Sequence, residues 1–163
     1  MASALTALAN TTLASTAASV TFSSISGAYR DLILVGTFTS ATTGYFGVRV
    51  NSDSGANYYW VQFNADGSTA AGSQSTGASS YGLNNRSTTS TTDAMTCVVN
   101  ILDYTATDKH KNALVRIGRA GGSTEFSMGR WANTAAITSV QVYGVSTANL
   151  AAGSTFALYG VSA

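Results

Sequence analysis

Proline is absent from this sequence of 163 residues, and Lys, Arg, Asp and Glu together supply only 9% of it, against roughly 25% in an ordinary soluble domain. Without proline, Gly and Asn must shape the turns, and no strand edge is guarded by a residue that cannot donate to a ladder. Eight basic residues against seven acidic ones leave a net charge of +1. That is no field for nucleic acid and no attraction to an acidic membrane surface. A single cysteine, Cys97, excludes an internal disulfide framework. Its neighbours Met95, Val98, Val99 and Ile101 place it in an apolar strand, as a small buried hydrophobe. One histidine and one cysteine cannot hold a zinc ion, which takes three or four such ligands. No apolar run reaches the roughly 18 residues of a membrane span. The first residues carry no Lys or Arg ahead of their apolar stretch, which argues against a signal peptide and for synthesis in a cytoplasm.

What is present is a core. Hydrophobic residues make up 45% of the chain, and the length suits one undivided all-β domain. Ser, Thr, Ala, Gly and Asn take the surface positions that Lys and Glu normally fill, so little charge keeps copies apart. Residues 1–18 are low in complexity and read as an N-terminal arm: a short helix, a frayed end, or an extended segment ordered against a partner. Residues 19–163 read as a single β-sandwich. Val20, Phe22 and Ile25 alternate. Leu32, Ile33, Leu34 and Val35 run on to Phe38 as a strand buried on both faces. Phe46, Val48 and Val50 then alternate with Tyr45, Gly47 and Arg49. Tyr58 to Phe63 forms an aromatic strand, and Asp66-Gly67 is a hairpin signal. Ser68 to Thr92 shows no pattern beyond Tyr81 and Leu83 and reads as a long loop. Strands follow at Ala94 to Leu102, Ala113 to Gly118 and Thr124 to Trp131, the last with Phe126 and Met128 on one face. Ile137, Val140, Val142 and Val145 mark another, and Thr155 to Val161 the last. About ten short strands between Gly/Ser/Asn turns predict a sandwich or barrel.

The residues able to do chemistry are scattered. His110 lies between Lys109 and Lys111 in a polar turn without a nucleophile nearby in sequence. The acids Asp31, Asp53, Asp66, Asp93, Asp103, Asp108 and Glu125 fall mostly at strand ends and turns, where carboxylates cap backbone N–H groups. Asn51, Asp53, Gly55 and Asn57 alternate as calcium-loop ligands do, but Gln62 stands where the bidentate Glu belongs. An Asx-rich turn is the better reading. Tyr58, Tyr59, Trp60, Tyr81 and Trp131 could offer stacking faces to a sugar, although aromatics at strand spacing more often fill a core. No catalytic, cofactor-binding or metal-binding residue is assigned.

Several blocks of this sequence resemble a domain of virion proteins in tailed bacteriophages, including marine and cyanobacterial phages. They are Thr12-Leu13-Ala14-Ser15-Thr16-Ala17-Ala18-Ser19-Val20-Thr21-Phe22, Tyr29-Arg30-Asp31-Leu32, and the turn from Val50 to Tyr58. Trp131 to Thr138 and Ala152 to Gly160 complete the set. The resemblance implies a jelly-roll-like antiparallel sandwich without a catalytic role or cofactor, assembled on the virion as a homotrimer. In relatives the domain often ends a longer protein; here it stands nearly alone, which suits a head decoration or cement protein bound to the major capsid protein. Residues 1–18 would then be the attachment device. The alternative is a tail or fibre module that binds host-surface carbohydrate.

Overall fold

Period-two alternation decides this architecture. In a computed structural model, which describes residues 4–84 and 91–162, Phe46, Val48 and Val50 are fully buried while Tyr45 and Arg49 face outward. The described residues form twelve strands and no helix. These are β1 (Leu5–Thr12), β2 (Ser19–Phe22), β3 (Asp31–Phe38), β4 (Tyr45–Val50), β5 (Tyr58–Ala65) and β6 (Ala70–Ala78). The chain continues through β7 (Tyr81–Gly82), β8 (Met95–Ile101), β9 (Lys111–Arg119), β10 (Thr124–Trp131), β11 (Val140–Val145) and β12 (Thr155–Val161). An eight-stranded sheet has the order β1-β12-β3-β8-β9-β10-β5-β6, and a four-stranded sheet the order β2-β11-β4-β7. Every pairing between named strands is antiparallel. The fold is thus the all-β, jelly-roll-like sandwich that the sequence predicts.

One core fills the space between the sheets. Val20, Phe22, Phe46, Val48, Val50, Val140 and Val142 come from the small sheet; Leu32, Leu34, Phe38, Met95, Cys97, Val99, Ile101, Val115, Phe156 and Leu158 come from the large one. Phe38 meets Phe46 edge to face across the gap, with ring centroids 5.1 Å apart. Burial pushes the Cys97 thiol up to about 12, so it stays protonated and inert. Lys111 also points inward at the start of β9: its stem is buried and its ammonium donates to the carbonyls of Lys109 and Thr134 at 3.0 and 3.1 Å.

Three sequence expectations change. Strand β3 is not buried on both faces, because Val35 is 38% exposed and Ile33 half-buried on the outer side. The supposed arm is part of the sandwich. Residues 5–12 form the edge strand β1 against β12, and Leu8 and Leu13 pack onto the core. Beyond β1, Leu13 and Ala17 exchange backbone bonds with Gly153, Ser154 and Leu150, so this segment orders against its own chain. The patternless stretch after Ser68 holds β6, whose small side chains gave no apolar signal, and the two-residue β7, which carries the buried Tyr81. Residues 85–90 of that stretch and 1–3 of the arm lie outside the described residues.

Candidate functional site

Two anchors set which way β5 and β10 face. Tyr58 and Trp131 pair directly across the ladder, and both are buried. The Tyr58 hydroxyl accepts from the Val50 amide at 3.0 Å, and the Trp131 indole donates to Asp53 at 2.6 Å. With those two rings inward, strict alternation sends Gln62 and Asn64 inward with Glu125 and Ser127, and sends Val61, Phe63, Phe126 and Met128 outward. The usual polarity of a half-buried strand is reversed here. Inside, Gln62 donates to Glu125, Ser127 donates to the Gly82 carbonyl at 3.0 Å, and Gln62 Oε1, Asn64 Oδ1 and Ser73 Oγ have no hydrogen-bond partner. Outside, Phe63 is 55% exposed and Met128 54% exposed.

Ladder register turns these residues into rows across the sheet. One row runs Val98, Arg116, Phe126, Phe63, Gly72. The next runs Asn100, Leu114, Met128, Val61, Gln74, and the third Asn112, Arg130, Tyr59, Thr76. Phe63 and Phe126 lie nearly parallel with centroids 5.8 Å apart, and the Arg130 guanidinium sits 4.6 Å over the Tyr59 ring. Two shallow grooves flank the rows. One of about 500 Å³ is lined by Phe63, Ala65, Ala70, Gly72 and Phe126; one of about 540 Å³ includes Tyr59, Val61, Gln74, Thr76 and Met128. Contiguous exposed apolar faces of this kind are where interaction surfaces are commonly found.

The residues singled out in the sequence do not converge. His110 is exposed in the loop before β9. No group of three or more His, Cys, Asp or Glu able to hold a metal ion occurs among the described residues. Asn51 ties the turn to its neighbour, accepting from the Thr138 and Ser139 amides and donating to the Ala136 carbonyl. The Asp53 carboxylate takes bonds from Gly55 N, Asn57 and Trp131. Burial alone would raise its pKa, but the bonds from Trp131, Asn57 and Gly55, with Arg49 nearby, outweigh it and hold it below the usual value. The 51–57 segment is an Asx-rich turn whose oxygens are already committed to N–H donors. Of the five aromatics, Tyr58, Tyr81 and Trp131 are core, Trp60 is half-buried on the inward side, and Tyr59 alone faces outward beside a groove.

What the sequence did not reveal is the outward face itself. Its signal was the shared face of Phe126 and Met128, but alternation does not say which face meets water.

No protein-family model and no curated relative matches the chain. Among solved structures it is similar to galectin LEC-6 of Caenorhabditis elegans at 8% identity and a TM-score of 0.38, covering 94% of this chain and 96% of that one. A single mutant of Congerin II follows at 14% identity and 0.37, covering 86% and 98%. A mutant of the alginate lyase Aly36B in complex with alginate tetrasaccharide gives 11% and 0.33, covering 82% and 68%. Likeness at this level carries no argument about what the chain binds or does.

Proposed function

We propose that this chain is a structural protein of a tailed-bacteriophage virion, a decoration or cement protein that binds the assembled head and stabilises it. It is made in the host cytoplasm, works in the virion as a homotrimer and is not an enzyme. The observation that carries the reading of an assembling structural component is the apolar outer face of the large sheet, with Phe63, Met128, Phe126 and Val61 turned away from the core. Full burial of such a side chain is worth roughly 1.5–3 kcal/mol, so covering this half-exposed group recovers several. The scarcity of charge, at 9% of residues, removes the repulsion that would oppose close packing. The sequence blocks between residues 12 and 160 that resemble phage virion domains supply the setting. The exposed His110 and the buried, protonated Cys97 leave catalysis without support. The mechanism is mass action: a protein that binds only the assembled shell shifts the balance toward it.

Heads prepared without this protein should bind it at saturable stoichiometry and survive a higher temperature afterwards. Absence of binding at micromolar protein would sink the decoration reading. A second reading, a tail or fibre module for host-surface sugar, draws on Tyr59 with Arg130, Asn112, Gln74 and Thr76 around one groove. The predominance of Val61, Leu114 and Met128 in that groove favours a protein over a hydroxyl-rich ligand. Micromolar binding on a glycan array would reverse the preference.

A further inference from the structure

We propose that the apolar rows of β10, β5 and β6 are covered by a second copy of this chain, with the symmetry axis running along the strands. This rests on the reading of the protein as a self-assembling structural component and names the surface through which it assembles. Rows that run across the strands keep their height under rotation about such an axis. The Phe126–Phe63 row therefore meets its own equivalent, the Met128–Val61 row meets its own, and so does the Arg130–Tyr59 row, whose guanidinium is held over the Tyr59 ring. Apolar meets apolar by symmetry alone.

Shape and charge point the same way. The patch holds projections and recesses together: Phe63 and Met128 stand out of it, and grooves of about 500 and 540 Å³ lie beside them. Gly72, directly opposite Phe63 on the edge strand, helps keep the first groove open. A foreign partner requires only one half of such a match, whereas self-association requires both on one surface. Residues 70–78 of the edge strand carry no charge. The nearest charges, Arg116 and Arg130, are engaged within the chain: Arg116 bonds Asn100 at 3.1 Å, and Arg130 stacks on Tyr59. The members of the two apolar rows on β10, β5 and β6 carry no charge to oppose an identical face.

The test is the mass of the full chain by light scattering over a range of concentrations. Wild type should be an oligomer. Phe63→Glu and Met128→Glu, both at exposed positions that leave the monomer folded, should each weaken association by more than about ten-fold, because a carboxylate would be trapped unpaired in an apolar contact. Asn10→Glu, at the opposite edge of the same face, and Thr21→Glu, on the small sheet, should leave the mass unchanged. A wild-type monomer at every concentration overturns the proposal, and so does an oligomer indifferent to both face substitutions. Binding to heads separates this from the functional reading. A monomer that still binds heads refutes the contact between copies alone. An oligomer dispersed by Phe63→Glu but without affinity for heads refutes the decoration role alone.

Discussion

The outer faces of the two sheets obey one alternation rule and end in opposite states. On the small sheet, β2, β4 and β11 turn Ser19, Thr21, Arg49, Gln141 and Tyr143 outward, with Arg49 stacked 4.0 Å over Tyr143 and Gln141 bonded to Thr21. That is the polarity of a sheet facing water. On the large sheet, β5 and β10 turn Val61, Phe63, Phe126 and Met128 outward and keep Gln62, Glu125 and Ser127 inside. The parity of a whole strand follows from whichever side chain is pinned first. Tyr58 and Trp131 are pinned by Val50 and Asp53, so the rest of β5 and β10 has no choice. The small sheet turns polar side chains outward, and one half of the large sheet turns apolar ones outward.

The inner sides of the sheets should behave alike, and that gives the largest expected effects. Phe46→Ala in the small sheet removes a buried ring that meets Phe38, and should cost about 3–5 kcal/mol in urea unfolding. Leu34→Ala in the large sheet, equally buried, should cost about 2–5 kcal/mol. If one sheet tolerated its substitution at under about 1 kcal/mol, the core would not be shared and the comparison would fail. Next comes the pin itself. Asp53→Ala leaves the buried Trp131 N–H without its charged acceptor and should cost about 2 kcal/mol. Trp131→Phe keeps much of the ring while abolishing the bond, and should cost less than Asp53→Ala, since Asp53 also holds Gly55 and Asn57.

Substitutions on the outer faces should leave the folded monomer almost untouched. Phe63→Ser on the large sheet and Thr21→Val on the small one should each shift unfolding by no more than about 1 kcal/mol. Their surfaces should part company once the chain is diluted to the monomer: there Phe63→Ser should reduce binding of a hydrophobic dye, and Thr21→Val should not. A dye signal indifferent to Phe63→Ser would place the sticky surface elsewhere.

These contrasts also explain what the sequence could and could not reveal. Strands β4, β10, β11 and β12 announced themselves through large apolar residues at alternate positions, β3 through a continuous apolar run, β5 through its aromatics, and β8 and β9 through apolar residues between turns. The edge strand β6, Ala-Ala-Gly-Ser-Gln-Ser-Thr-Gly-Ala, carries no such residue and looked like loop. Strand β1 looked like an arm because its neighbour β12 lies about 150 positions away, with nothing local to signal the pairing. Lys111 read as part of a polar turn, because a lysine whose ammonium bonds two carbonyls leaves no mark in the pattern. The candidate surface was half legible. Phe126 and Met128 were visibly on one side of their strand, but the side was fixed by Tyr58 and Trp131, through contacts to a different sheet and a distant turn.

The smallest effect expected is with pH, and it separates the turns from both faces. Asp53 and Asp66 are held below the ordinary carboxylate value near 3.8. For Asp53, burial works the other way but the bonds from Trp131, Asn57 and Gly55 prevail; for Asp66, the amides of Ser68 and Thr69 and the Ser68 hydroxyl are responsible. A depressed carboxylate stabilises the fold fully above its unfolded pKa, and that stabilisation disappears as pH falls through the lower folded value. Stability should therefore be flat from neutrality to about pH 5 and then decline. Asp53→Asn should flatten part of that decline. The share owed to exposed Asp66 should shrink in salt, while the share owed to Asp53 persists. The apolar rows between β10 and β6 contain no carboxylate and no histidine. The mass of the proposed oligomer should accordingly stay constant between about pH 5 and 8. An oligomer that dissociated in that range while the fold persisted would require an ionising group in the contact, and would remove the apolar face from it.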